Sequence, residues 1–471
     1  MTAGYTPPGV QVVSIPNNRI INVTDTQQVP AIVGPGAVVR QVTDEVLVRT
    51  SGSGTHAITG HLFQDNLANY NVTITKISAY PNASGSYGTW DGNHAWRPGT
   101  GTANPANIVW MSGSPGSGQP RYGEFYYASY WYPIPAAQFE PKLFLDSKEV
   151  AATYGVEDPP LNSPITTAAN IAFENGAKAV ICVQISGSQD STSVWTNALN
   201  KLKKRTDVSY IVPVSPSSSI QSTVLTHALT ESAAAIGHEC RGVFGPEQGT
   251  TVDAFLARAS ALNNSRAVLV APASSIFRRT AAGNTLSLDG SYAAAAVAGL
   301  INSQEHPRDP ITGATIVGFT IADDYYEPFD MNRMANVGIT VLYSQAGVIK
   351  VRHGQTTNTA SADTVEISVV DAADFVARIT RSNLHNIFIG KGVVIDEGTP
   401  ARVESATRSL WTSLIKSGDI SKFGTKNDPT TGEVAITAQQ DTSEPRRINV
   451  TGAVSFLYPL NWINVSFYFY V

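Results

Sequence analysis

The spacing of apolar positions changes character four times along the chain. Over residues 1–35, short apolar pieces around Val10, Val12, Val13, Ile15, Ile20, Ile21 and Val23 alternate with Pro7, Pro8, Pro16, Pro30 and Pro35. The prolines forbid a long helix, so this stretch reads as an extended arm with strand-like pieces. An arm this apolar does not stay free in water and is expected to lie on a sheet, its own or another chain's. Residues 36–158 carry short alternating runs such as Val72-Thr73-Ile74-Thr75-Lys76-Ile77. They also hold the aromatic cluster Tyr126-Tyr127-Ala128-Ser129-Tyr130-Trp131-Tyr132 and the turn-rich run Ser112-Gly113-Ser114-Pro115-Gly116-Ser117-Gly118. That pattern predicts an all-β module with long loops.

Residues 159–345 switch to helical spacing interrupted by unbroken apolar runs. Helices are predicted over 165–175, 192–205, 217–236, 252–263 and 291–302, and strands over 179–185, 209–214 and 267–271. Apolar strands between helices indicate a mostly parallel sheet covered on both faces, an α/β module. Residues 346–471 read as α+β, with a strand over 348–351 and a helix over 371–381 that places Ala372, Phe375, Val376 and Ile379 on one side. A second helix opens at Thr399-Pro400, aligns Val403, Ala406, Leu410, Trp411 and Leu414, and stops at Gly418. Strand-like runs follow over 448–456 and 462–471. The predicted fold class is thus α/β and α+β in several domains, bounded at 1–35, 36–158, 159–345 and 346–471.

The final run alternates cleanly. Ile463, Val465, Phe467, Phe469 and Val471 share one face, and Trp462, Asn464, Ser466, Tyr468 and Tyr470 the other. No charge or proline guards it, and an exposed strand of this kind would aggregate. Burying each large side chain is worth roughly 1.5–3 kcal/mol. The segment is therefore expected to be covered, either in its own domain's sheet or by strand addition to another chain.

Composition sharpens this picture. Only 15% of the residues are charged against 42% hydrophobic, so the surface is polar but weakly charged. Such a surface suits packing among copies of one chain, where each desolvated charge needs a partner, and it also suits secreted β-rich proteins. The net charge of -5 argues against phosphate-backbone binding. The run Lys201-Leu202-Lys203-Lys204-Arg205 falls at a helix end, where cations complement the dipole. Two cysteines, Cys182 and Cys240, are too few for a disulfide framework, and Cys182 lies in an apolar strand as a buried thiol. The first residues lack the basic and apolar regions of a signal peptide, and no apolar stretch reaches eighteen residues. Folding in a cytoplasm is expected, with no membrane insertion and with the sequons at Asn22, Asn71, Asn449 and Asn464 accidental.

A search for chemistry finds none that persuades. There is no P-loop, no Gly-x-Gly-x-x-Gly, no nucleophile elbow and no His-x-x-x-His pair. His56 and His61 lack a carboxylate partner, and His238-Glu239-Cys240 lacks a second ligand pair. Asp323-Asp324 reads as a solvated loop, and the aromatic cluster as β packing rather than a sugar- or base-stacking platform. The expectation is a protein with no catalytic residue, cofactor or metal.

The opening Tyr5-Thr6-Pro7-Pro8-Gly9-Val10-Gln11-Val12, followed by Pro30-Ala31-Ile32-Val33-Gly34, resembles that of contractile tail sheath proteins. Phe173-Glu174-Asn175-Gly176-Ala177 before an apolar strand is similar to the family. So are the small-residue helix Ser291-Tyr292-Ala293-Ala294-Ala295-Ala296-Val297-Ala298-Gly299-Leu300-Ile301 and the step Asn336-Val337-Gly338-Ile339. Where the family usually carries Trp-Gly-x-Arg-Thr, this chain departs, reading Arg352-His353-Gly354-Gln355-Thr356-Thr357. Residues 36–158 match nothing particular, as an inserted segment would.

The resemblance implies a structural subunit of a virion tail sheath, assembled in the host cytoplasm. Its copies would form stacked hexameric rings around an inner tail tube, meet baseplate and terminator proteins, and contract to drive the tube through the host envelope. It implies an inward α+β C-terminal domain, an α/β middle domain and an outward inserted β-rich domain. The N-terminal arm, through Val10, Val12, Val13 and Ile15, and the C-terminal arm, through Ile463, Val465, Phe467, Phe469 and Val471, would add strands to neighbouring subunits. The first strand would belong to the C-terminal domain's sheet. Arg378 and Arg381 are the candidate tube-facing residues. No nucleic acid is implied. The sheath of a bacterial contractile injection apparatus, and a β-rich carbohydrate-binding protein, are the alternative readings.

Overall fold

The computed structural model describes residues 12–14, 19–21, 29–36, 39–48, 65–66, 73–78, 96–98, 107–110, 125–133, 140–158, 162–185, 191–233, 236–322, 325–425, 427 and 434–461. The chain divides into two compact units. One comprises Met1–Gly36, Gln138–Ala151 and Ser163–Val471, and the other Ala37–Ala137 and Ala152–Asn162.

The larger unit is built on a nine-stranded sheet. Its strands are β1 (Val29–Pro35), β2 (Lys142–Phe144), β3 (Val180–Ile185), β4 (Val208–Pro213), β5 (Arg241–Phe244), β6 (Ala267–Ala271), β7 (Thr315–Ile316), β8 (Ile339–Gln345) and β9 (Val348–Val351). The order across the sheet is β2-β3-β1-β4-β5-β6-β8-β9-β7. The neighbours from β3 through β8 pair in parallel, and β2, β9 and β7 close the edges antiparallel. The central strands are apolar throughout because both faces are covered. On one face Trp195, Leu199, Ile220, Val224, Phe255 and Met334 pack onto Ala31, Val33, Ile181, Ile211 and Leu269. They come from helices α2 (Thr192–Leu202), α3 (Ser218–Glu231), α4 (Val252–Leu262) and α6 (Pro328–Asn336). On the other face lie α1 (Pro164–Glu174) and α5 (Gly290–Ser303). Residues 293–298 of α5, Ala-Ala-Ala-Ala-Val-Ala, are all buried. A Cβ on Gly299 would sit 2.3 Å from the Ala172 carbonyl oxygen, so glycine there lets α5 and α1 touch backbone to backbone.

Two assignments made from sequence change here. The opening strand was expected in the sheet of the C-terminal domain, but Val29–Pro35 lies deep in the nine-stranded sheet, paired with β3 and β4. Ala31, Ile32 and Val33 have no exposed surface, which suits an inner strand covered on both sides. β9, also assigned to the C-terminal part, pairs with β8 in the same sheet.

The rest of this unit is carried by α7 (Ile367–Phe388) and α8 (Thr399–Ser417). The α7 helix is longer than the 371–381 span read from its apolar spacing. Asp371, Asp374, Arg378 and Arg381 are buried in it and break the apolar pattern. Val376 of α7, Trp411 and Leu414 of α8, Ile420 and Ile436 form a second, smaller core. The Trp411 Nε1–H donates to Thr380 Oγ1 at 3.0 Å. Gly418, at φ 79°, ends α8 in the left-handed conformation. The run over 448–456 is not one strand. It breaks into Ile448–Thr451 and Val454–Ser455 at Gly452, where a Cβ would meet the Trp411 ring at 2.9 Å.

Among the described residues, the smaller unit holds two three-stranded antiparallel sheets. In one, Phe125–Pro133 is the centre strand between Val39–Val48 and Thr73–Ser78; in the other, Asn107–Trp110 pairs with Asp65–Asn66 and Trp96–Pro98. Tyr126, from the aromatic cluster, is fully buried, as are Ile77 and Ala128, which agrees with a packing role.

Candidate assembly site

The long helix α7 is fastened to the main sheet through its charged side chains. It crosses the amino ends of the parallel strands, where a cluster of buried charges holds it. Arg241, the first residue of β5, pairs with Asp371 at 2.5 Å and also with Asp374. Arg266, just before β6, meets Asp374 at 2.5 Å. Farther along α7, Arg381 donates to the Gly237 carbonyl at 2.8 Å and pairs with Glu239 at 3.3 Å. Arg378 Nε reaches the Asp374 carbonyl at 3.3 Å. The cluster thus pairs the guanidiniums of Arg241, Arg266 and Arg381 with three carboxylates, with Arg378 bonded to the Asp374 backbone.

Burial and pairing compete at each member. Burial pushes the Asp374 carboxyl up, but Arg266 and Arg241 together outweigh it and hold the group well below the usual carboxylate range. Asp371 is raised, because burial is only partly offset by Arg241. Arg241 loses by desolvation and gains more from Asp371 and Asp374, so its charge is held more firmly than usual. Glu239 is raised by burial against the pull of Arg381.

Arg378 and Arg381 are therefore not a tube-facing pair. Both are buried and committed to groups of their own chain. Their spacing on a helix was legible in the sequence, but the groups that receive them lie 142 and 144 residues away or one turn back on the same helix, out of reach of local pattern. The solvent-facing side of this region is on α8 instead, where Ser405, Ser409, Thr412, Ser413 and Lys416 are exposed around Arg408.

The arm residues divide in two groups. Val12 and Val13 lie in a short strand, Val12–Ser14, paired antiparallel with Arg19–Ile21 in the register Val12↔Ile21. This ribbon runs alongside α7 and Ile448–Thr451 of its own chain. Val10, Ile15, Ile463, Val465, Phe467, Phe469 and Val471 lie outside the described residues, as does Asp323-Asp324.

Among the described residues, no group of three or more His, Cys, Asp or Glu side chains could hold a metal ion, and no helix is long and apolar enough to cross a membrane. His238 contacts Glu231 at 3.4 Å, while Cys240 sits apart as a buried free thiol.

No protein-family profile matches the chain. The tail sheath protein of Mycobacterium phage Bxz1 is 25% identical over 354 residues, covering 73% of this chain and 58% of that protein. The tail sheath protein of Bacillus phage SP01 is 25% identical over 295 residues, covering 60% of this chain and 47% of that protein. The fold is similar to the helical sheath of the anti-feeding prophage in its contracted state, with a TM-score of 0.55, 12% identity, and coverage of 71% of this chain and 89% of that one. It is also similar to the contracted PVC sheath complex of an extracellular contractile injection system, with a TM-score of 0.52, 14% identity, and coverage of 71% and 87%.

The chain is thus similar in sequence to the tail sheath proteins of two phages and in fold to contractile sheaths. It spans about half the length of the curated relatives it matches. Among the described residues, several segments that resemble the sheath family fall at tight places in this fold. Pro30-Ala31-Ile32-Val33-Gly34 is an inner strand of the sheet, and a Cβ on Gly34 would meet Val214 at 2.7 Å. Asn175 ends α1 and bonds to both the N–H and the carbonyl of Val317. Asn336-Val337-Gly338-Ile339 turns α6 into β8.

The two thiols of this chain are buried in packing positions. Burial raises Cys182 far above its ordinary value and pushes Cys240 up to about 12, so neither forms a thiolate at neutral pH. Both are expected to ignore a thiol reagent in the native chain and to react at the rate of unfolding. Fast labelling of either without loss of structure would show that the core opens locally.

Proposed function

We propose that this chain is the structural subunit of a contractile sheath. It polymerises with copies of itself in stacked hexameric rings around an inner tube, and contraction drives that tube through a host envelope. The observation that carries this reading is the 354-residue likeness to a phage tail sheath protein. Its setting would be a virion tail or a tail-like particle, with tube, baseplate and terminator proteins as partners. No catalytic step is part of the work. The energy would lie in the subunit contacts of the contracted lattice.

The ends of the chain would link the subunits. An arm of about twenty residues reaches roughly 65 Å, enough to cross to a neighbour, and main-chain pairing there would keep subunits joined while domains move as rigid bodies. The inserted residues 36–158 would face outward, and the exposed side of α8 is the surface offered to the tube. A second reading, a sheath of a bacterial contractile injection apparatus, is favoured by the solved neighbours, which come from such systems.

Electron microscopy of the purified full chain tests this. Tubes or rings of regular width are expected, whereas a monodisperse monomer at high concentration would sink the sheath reading. Deleting residues 462–471 is expected to abolish tubes while the circular dichroism of the α/β sheet persists. Long tubes from the truncated chain would remove the C-terminal segment from the mechanism.

A further inference from the structure

The run in which this chain departs from the sheath pattern, residues 352–357, forms half of a polar clasp. Its backbone is zipped to the start of α7. Thr356 N–H donates to the Val365 carbonyl at 2.7 Å, Ile367 N–H to the Gly354 carbonyl at 3.2 Å, and Gln355 bridges Glu366. Beneath it, the fully buried Thr340 of β8 exchanges bonds with Gln355 at 2.9 and 3.0 Å. This base is rigid because it is fastened from two sides.

His353 and Glu366 stand on that base. Glu366, 7% exposed, accepts from His353 Nε2 at 2.7 Å and from Asn461 Nδ2 at 2.8 Å, both on Oε1. His353 Nε2 and Asn461 Nδ2 approach to 3.1 Å. One ring nitrogen cannot donate to Glu366 and accept from Asn461 at once, so the two donors share the carboxylate oxygen. Three residues earlier, the Tyr458 hydroxyl donates to Asp363. Leu457 and Leu460 are 47% and 79% exposed, so apolar burial does not hold this segment down. Its polar side chains do.

We propose that Tyr458 and Asn461, closing on Asp363, Glu366 and His353, fix the point at which the C-terminal segment leaves its own subunit. This rests on the assembly reading above and makes them positioning residues for donation of that segment to a second copy. Phe456 is anchored in the small core around Trp411. Opening the clasp frees the chain from 457 onward and lengthens the tether before the donated strand. A longer, looser tether lowers the effective concentration of the strand at its acceptor.

The test uses the full-length double variant Tyr458→Phe, Asn461→Ala. Amide exchange over 457–461 in the unassembled chain is expected to rise about tenfold, with exchange of β1 to β8 unchanged. The lowest protein concentration that gives tubes is expected to rise about tenfold. In a second variant, Glu366→Gln with Asn461→Asp, donor and acceptor trade places, and slow exchange should return. Unchanged exchange in the double variant overturns the clasp. Faster exchange with an unchanged tube threshold overturns its positioning role. If residues 462–471 prove dispensable for tubes, the strand-donation reading fails and takes the positioning role with it, while the exchange result still decides whether the clasp exists.

Discussion

Asp374→Ala is expected to destabilise the larger unit by about 3–5 kcal/mol, the cost of removing one partner from a buried ion pair. The carboxylate is the shared acceptor for Arg241 and Arg266. Without it, Arg241, 1% exposed, keeps only Asp371, and Arg266 loses its 2.5 Å partner. The remaining charges have less compensation, and the buried Arg241 has no route to water without moving α7 off the strand ends. Urea denaturation at pH 7, followed by tryptophan fluorescence, measures the change; Trp411 packs against α7 through Thr380 and reports on it directly. A loss under about 1 kcal/mol would mean that packing alone seats the helix.

The same residue sets an acid limit. Its folded value lies below the unfolded one of about 3.9, so its contribution is present above that unfolded value. It is lost as pH falls toward the folded one. The native chain is therefore expected to lose stability steeply below about pH 4. Asp374→Ala should flatten that fall while starting from a less stable state at neutral pH. Asp371, raised by burial, works in the opposite sense: it favours folding below its unfolded value and weakens it as pH rises through the folded one.

Gly338→Ala is the second large effect, expected at about 2–5 kcal/mol from two additive causes. The residue has φ 80°, a left-handed backbone that costs an L side chain about 1–2 kcal/mol. A Cβ there would also lie 2.1 Å from the Thr356 carbonyl oxygen and 3.0 Å from Thr357 Cα. Backbone atoms cannot swing aside as a side-chain tip can, and overpacking of this kind typically costs about 1–3 kcal/mol. Thr357 is itself tied down, its N–H donating to the Ala267 carbonyl at 2.9 Å. The strain would pass to β8 and to the base beneath His353. Equilibrium denaturation of the single variant measures the sum. A loss below about 1 kcal/mol would show that the 356–357 backbone can yield.

Much of the α/β architecture was legible from residue order. The helix predicted over 252–263 is Val252–Leu262, and the strand over 267–271 is Ala267–Ala271, because an amphipathic or unbroken apolar run carries its own period. β5 was not legible. Its four residues, Arg-Gly-Val-Phe, open on a charge and a glycine, and only the Asp371–Asp374 pair across space makes an arginine acceptable there. The strand Ile339–Gln345 was hidden for a related reason: it follows directly on a helix and was read as a connecting step.

By itself, the sequence determined the helical and strand periods, the lack of a recognisable catalytic motif, and the two apolar ends that point to assembly. These follow from local spacing and composition, which act over a few residues. Only the tertiary structure decided that the opening strand lies inside the main sheet, that Arg378 and Arg381 are internal, and that His353, Glu366 and Asn461 meet. Those outcomes depend on partners far along the chain, 95 residues away for Asn461 and Glu366 and 144 for Arg381 and Gly237, and no local period records which distant group will satisfy a buried one.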